Sequence, residues 1–251
     1  MATTMAVPDK RRCARLEPGL VADARIVLAD LDGCLMSGGR AYKDAPEFVD
    51  ACKDRLWIVS NNSTHTAQAL APVLDGQGLT VDADRILLAG EQTLHHLART
   101  CAPGHRLALF ASDMLHDKAR ELGLAISESD AEIALLCRDL SFAIPDLEKL
   151  TALIDAGAQL WVSNTDLNHP SHDGRPVPET GALLAALRAV AGPVPFASIG
   201  KPNPHMVRIV TERTRIAAHD AVFVGDTAAT DGALAKAAGM PFLHIVREDV
   251  A

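Results

Sequence analysis

The sequence predicts an α/β fold built on parallel strands, and three observations carry that reading. Short apolar runs such as Ile26–Ala29 and Leu56–Ser60 alternate with helix-patterned segments nearly throughout. Glycine and proline fall between the segments, where they stop helices or open them. The chain has 251 residues, 48% hydrophobic and 22% charged, which allows one large domain or two modest ones with a substantial core.

The elements follow in order. Ile26–Ala29 reads as a buried strand ending in Asp30, Leu31, Asp32 and Gly33. A short helix over 46–52 precedes the strand Leu56–Ser60, which runs into Asn61, Asn62, Ser63 and Thr64. Ser63 or Thr64 is expected to cap a helix over 66–75, closed by Gly76 and Gly78. Strand 86–89 and helix 91–99 complete this set. A second set has strands at 106–110, 132–137 and 158–163, with helices at 114–122 and from Pro145 to Gly157. Residues 164–178 are broken by His, Pro and Gly and read as a loop before a helix over 179–190. In the last section, strand 196–199 leads to Gly200 and Lys201, and Pro204 opens a helix to about Arg215. Strand 221–224 ends in Gly225, Asp226 and Thr227, Asp231 begins a helix, and 241–246 is the final strand.

Composition narrows the partners. A net charge of -8 argues against nucleic acid or an anionic membrane surface. The five cysteines are scattered without a CxxC, as expected of reduced thiols in a cytoplasm. No apolar stretch is long enough to span a bilayer. Residues 1–20 carry Lys10, Arg11, Arg12 and Arg15 without an apolar run behind them, and are expected to form a frayed arm rather than a signal peptide.

Polar residues collect at four strand ends: Asp30 with Asp32, Ser60 with Asn61, Lys201, and Asp226 with Asp231. Ligands of open α/β sheets bind at the carboxyl ends of strands. Asp30 and Asp32 leave their strand on the same side. Two such charges ~4 Å apart repel by roughly 4 kcal/mol at an effective dielectric of 20, so the site requires cation. The ligands are all oxygen, which selects Mg²⁺ over zinc. The loop histidines His169 and His172 are read as solvated or substrate-facing rather than metal-holding. Ser60, Lys201 and the backbone N–H groups after Asp30 and Ser60, including those of Asn61 and Asn62, can satisfy phosphate oxygens. One carboxylate can then attack phosphorus while the other moves a proton to and from the reacting oxygens. Paired acids, a Ser and a Lys also suit a phospho-receiver or binding module without turnover. The spacing of Asp32 from Asp30 and the chain length weigh against that reading.

The strings ADLDGCL, VSNNST, IGKPNP and FVGDTAATD, in this order, resemble the four motifs of the haloacid dehalogenase (HAD) superfamily of phosphatases. The resemblance implies Asp30 as nucleophile and Asp32 as general acid/base. It implies Ser60, Asn61, Asn62 and Lys201 around the phosphoryl group. Metal would be held by Asp30, the backbone carbonyl of Asp32, and Asp226, with Asp231 orienting Lys201 or a metal-bound water. About 140 residues separate Ser60 from Lys201, which resembles the subgroup with a large α/β cap, including the NagD-type, nitrophenyl and pyridoxal phosphate phosphatases. The expected architecture is therefore a Rossmann-like, doubly wound parallel-sheet core, residues 1–98 and 196–251, with an α/β cap inserted over 99–195. The stretch NTDLNHPSHDGRPVPETGALLAAL resembles the cap loop of pyridoxal phosphate phosphatase, which implies substrate contact by His169. The implied substrate is a small phosphorylated metabolite, with pyridoxal 5'-phosphate first and sugar or glycerol phosphates or nucleotides behind it. The resemblance also implies a homodimer through the cap.

Overall fold

In chain order the strands are Arg11–Cys13 (β1), Ile26–Ala29 (β2), Met36–Ser37 (β3), Arg40–Ala41 (β4), Leu56–Ser60 (β5), Ile86–Leu88 (β6) and Arg106–Phe110 (β7). They continue as Ala125–Ile126 (β8), Ile133–Leu136 (β9), Gln159–Val162 (β10), Asn168–Pro170 (β11), Pro176–Pro178 (β12), Ala221–Gly225 (β13) and Phe242–Ile245 (β14). The computed structural model describes residues 11–102, 104–171 and 173–247. Among these are a six-stranded sheet, order β1-β14-β13-β2-β5-β6, and a four-stranded sheet, order β10-β9-β7-β8, with every pairing in both parallel.

The larger sheet is apolar on both faces because β2 alternates into two clusters. Val27 and Ala29 pack with Ile58, Val224 and Leu243, while Ile26 and Leu28 pack with Val59, Phe223 and Met206. Full burial of a side chain such as Leu28 contributes about 1.5–3 kcal/mol. The chain runs from β2 to β5 and β6 on one side, then returns through β13 and β14 on the other. The junction of β2 and β13 is thus the topological switch point, where such sheets open a crevice. Asp30 leaves β2 there and Asp226 leaves β13.

The smaller sheet is wrapped by the helices Asp113–Glu121, Ile144–Asp155 and Thr180–Ala191, with Leu150, Leu153, Leu184 and Leu187 filling one face. Helix Ala89–Thr100 bridges to it, since Leu94 and Leu97 pack with Leu107 and Leu109 of β7. Among the described residues, no helix is long and apolar enough to cross a membrane.

The structure departs from the sequence reading in several places. Residues 11–13 are not frayed but form a parallel edge strand on β14, with Arg12 opposite His244. Residues 1–10 lie outside the described residues. The segment 164–178 holds a two-stranded hairpin, β11 with β12, in which His169 faces Val177. Its strands are too short to carry an alternation that a sequence reading could find. The expected strand over 196–199 is a single bridge, Ala197 to Trp161, at the edge of the smaller sheet. The helix after β5 starts at Ala67, and its cap is Thr66, whose hydroxyl accepts from Ala69 N–H at 3.3 Å. Ser63 and Thr64 do not serve as that cap.

Candidate active site

The loop after β2 is tight. Gly33 N–H donates to the Met36 carbonyl at 2.7 Å, and Leu35 N–H to the Leu31 carbonyl at 2.9 Å. Gly33 has φ +90, and a Cβ there would lie 2.3 Å from Asp226 Oδ2. Glycine at this position therefore lets the two strand ends approach.

Lys201 reaches into the crevice from the segment after the smaller sheet. Its Nζ lies 2.5 Å from Asp30 Oδ1 and 2.7 Å from Asp231 Oδ1, and all three side chains are buried. Asp231 stands on a π-helical turn, Ala228–Gly232, before helix Ala233–Ala238. Thr227 N–H donates to its Oδ2 at 3.1 Å. A Cβ on Gly225 would sit 2.2 Å from that oxygen, so glycine ends β13. Asp226 brings a second carboxylate, whose Oδ1 is buried without a hydrogen-bond partner among the described residues.

One ligand oxygen each from Asp30, Asp226 and Asp231 falls within 4.8 Å of the others. Three carboxylates surround one ammonium here. Burial accordingly raises Asp30 to about 7, against the pull of Lys201, with Asp226 adding to the rise. Burial also raises Asp226 and Asp231 to about 6. A carboxyl beside an ammonium is ordinarily lowered, but a single lysine cannot compensate three buried acids. Burial alone would lower Lys201, yet Asp231 and Asp30 push it upward, so it stays protonated. The orphaned oxygen, the all-oxygen donor set and the charge deficit together fit a hard divalent cation.

Ser60 is buried at the end of β5, and its Oγ accepts from Asn62 N–H at 3.0 Å. Asn62 Oδ1 accepts from Thr64 N–H at 3.1 Å and His65 N–H at 3.0 Å, which shapes the turn. The Asn61 side chain is turned to Lys201: its Oδ1 accepts from Lys201 N–H at 2.7 Å, and its Nδ2 donates to the Lys201 carbonyl at 3.2 Å.

The smaller sheet brings charged groups toward Asp32. Glu179 Oε1 lies 2.7 Å from His169 Nδ1 and 3.3 Å from Arg138 Nε. Burial raises the Asp32 carboxyl, while His169 opposes that rise, Glu179 adds to it, and Arg138 also lowers it. His169, on β11, is raised by its hydrogen bond to Glu179. His172 lies outside the described residues.

A buried polar seam joins the two sheets. Ser63 Oγ lies 2.9 Å from Thr180 Oγ1 and accepts from Arg138 N–H at 3.0 Å. Asn164 Nδ2 donates to the Asn61 carbonyl at 2.8 Å, and Asn61 Nδ2 donates to Asp166 Oδ2 at 2.9 Å. Sequence reasoning passed over Arg138, Asn164, Asp166, Glu179 and Thr180. Each stands in a segment where a polar residue reads as turn or surface, and its partner lies far away in the chain.

The chain matches the family model described as haloacid dehalogenase-like hydrolase over residues 27–125, and a HAD-hydrolase-like model over residues 198–248. It is 30% identical over 226 residues to the D-glycerol 3-phosphate phosphatase of Mycobacterium tuberculosis, covering 88% of this chain and 62% of that protein. The chain thus spans less than two thirds of that relative's length. Its fold is similar to the 4-nitrophenylphosphatase of Thermotoga maritima, with a TM-score of 0.83 and 26% identity over 92% of this chain and 89% of that one. It is also similar to a glycerol phosphate phosphatase of Mycobacterium tuberculosis in complex with magnesium, with a TM-score of 0.80 and 28% identity over 88% and 67% of the two chains. With the switch-point acids and the buried lysine in place, these matches put the chain in the haloacid dehalogenase superfamily.

Proposed function

We propose that this chain is a Mg²⁺-dependent phosphomonoester hydrolase that works through an aspartyl phosphate on a small phosphorylated metabolite. The observation that carries the reading is Lys201 buried between Asp30 and Asp231, beside the unpartnered Asp226 oxygen. Asp30, the Asp32 carbonyl and Asp226 would hold the metal, with Asp231 orienting Lys201. The ion, when bound, supplies positive charge to the carboxylates and to the phosphoryl oxygens.

The residues divide the chemistry. Lys201, Ser60 and the N–H groups of Asn61 and Asn62 hold the phosphoryl oxygens. An Asp30 oxygen bonds to phosphorus as the ester P–O bond breaks, and Asp32 gives its proton to the leaving oxygen. Asp32 then takes a proton from water as that water displaces Asp30 from phosphorus, releasing phosphate. The raised pKa of Asp32 suits it to hold a proton for the first step. Residues 99–195 act as the cap that excludes water during transfer.

For the leaving group we place glycerol 3-phosphate and related polyol phosphates first. The 30% identity to a D-glycerol 3-phosphate phosphatase supports this, as do the donors and acceptors of Arg138, His169 and Glu179, which suit hydroxyl groups. Pyridoxal 5'-phosphate stands second, on the His169 loop sequence. A panel of these esters and nitrophenyl phosphate, assayed with Mg²⁺, tests the reading. Turnover of at least one ester is expected, lost on chelation and in Asp30→Asn. Activity surviving either change sinks the proposal. A stable phospho-Asp30 with no phosphate released would favour a receiver instead.

A further inference from the structure

The catalytic lysine is registered by a contact that spans the two sheets. Asn61 grips the Lys201 backbone on both sides, accepting its N–H at 2.7 Å and donating to its carbonyl at 3.2 Å. The same Nδ2 donates to Asp166 Oδ2 at 2.9 Å, on the turn after β10. Asn164, two residues earlier, donates to the Asn61 carbonyl at 2.8 Å. The preceding residue leaves no slack: a Cβ on Gly200 would lie 2.3 Å from the Ser163 carbonyl and 3.0 Å from Asn61 Oδ1.

An asparagine amide has one donor end and one acceptor end, and turning it over exchanges them. Turned over, Asn61 would set its oxygen against the Asp166 carboxylate and the Lys201 carbonyl, and its NH₂ against the Lys201 N–H. Asp166 accepts from the same NH₂, so it reinforces the orientation that the Lys201 backbone requires and anchors the amide from the smaller sheet's side. We propose that Asp166 is a positioning residue for catalysis: through Asn61 it fixes the Lys201 backbone, and so makes the placement of the lysine ammonium between Asp30 and Asp231 depend on the docked cap. This rests on the phosphatase reading for its effect on turnover, while its effect on the Lys201 backbone stands apart from it.

The experiment compares wild type, Asp166→Ala and Asp166→Asn. The readouts are Mg²⁺-supported turnover of nitrophenyl phosphate and hydrogen exchange at the Lys201 amide. A displacement of the lysine by a fraction of an ångström to 1 Å is expected to lower kcat roughly 10- to 100-fold in Asp166→Ala, with KM within about twofold. The Lys201 amide should exchange faster in the same variant, because its acceptor is no longer held. Asp166→Asn keeps an acceptor oxygen and is expected to restore both. Wild-type kcat in Asp166→Ala, a change in KM alone, a fall in kcat without faster Lys201 exchange, or an Asp166→Asn as impaired as the alanine variant would each overturn the proposal. If wild type turns over no ester, the phosphatase reading fails, and the exchange comparison alone still decides the positioning role.

Discussion

Lys201 and Asp231 meet with their charged atoms 2.7 Å apart, and neither side chain is open to solvent. A buried ion pair gains little over a well-packed apolar pair, because both charges lose their hydration. The pair is therefore better explained by what it aims than by what it stabilises. Thr227 N–H fixes the far oxygen of Asp231, and the near oxygen holds the ammonium within 2.5 Å of Asp30. The carboxylate that sets the lysine and the carboxylate assigned to attack thus share one cation.

Asp231→Ala leaves the buried lysine short of a partner and is expected to destabilise the fold by about 3–5 kcal/mol. Asp231→Asn keeps an acceptor and should lose less stability while still losing activity. Urea unfolding of the two variants beside turnover separates these effects. An alanine variant as stable as wild type would show that Asp231 does not hold Lys201.

The roles given to Asp30 and Asp32 predict different losses. Asp30→Asn removes the nucleophile and should cost roughly 10⁴-fold or more in kcat on every ester. Asp32→Asn removes the proton donor, and should cost roughly 10²- to 10⁴-fold on an alkyl phosphate. Its loss on nitrophenyl phosphate should be smaller, since nitrophenolate leaves without a proton. Equal losses on both esters would contradict the assignment.

Burial raises the carboxyls of Asp30 to about 7 and of Asp226 and Asp231 to about 6. The folded protein therefore binds these protons more tightly than the unfolded chain. Their contribution to stability is present at low pH and is lost as pH rises from about 4 through the folded values. A divalent cation competes with the same protons. Saturating Mg²⁺ is accordingly expected to raise the Tm more at pH 8 than at pH 5. Thermal scans with Mg²⁺ and with chelator measure this, and an equal or larger gain at pH 5 would count against the site.

The core strands were legible because each is a contiguous apolar run buried on both faces, as in Ile26–Ala29 and Leu56–Ser60. Asp30, Lys201, Asp226 and Asp231 stood out because each follows a strand or a strand-like run, and the sheet order brings them to one switch point. The seam was not legible. Ser63 and Thr180 are 117 residues apart, and a serine after a strand reads as a helix cap until its distant partner is seen. Asp166 falls in the segment that reads as a loop, and only the packing of β10 beside the Asn61 loop gives it a buried donor to accept from. Glu179 read as the first residue of a helix, whereas the hairpin turns His169 onto it and the loop after β9 adds Arg138.

That last cluster yields a pH prediction for substrate binding. The hydrogen bond to Glu179 raises the pKa of His169, which its partial burial would lower. The protonated ring is thus favoured by the fold, and its charge is lost as pH rises through a value above the ordinary 6.5. In the proposed reading, His169 and Arg138 are the donors that meet the substrate's hydroxyl groups. The KM for glycerol 3-phosphate is expected to rise as pH passes that point, and Glu179→Gln should move the inflection to lower pH because the carboxylate no longer holds the proton. Nitrophenyl phosphate has no hydroxyl groups for these donors, so its KM should respond less. Measuring KM against pH for both esters in wild type and Glu179→Gln decides the matter. An inflection that stays in place in the variant would mean that His169 is not the group that titrates.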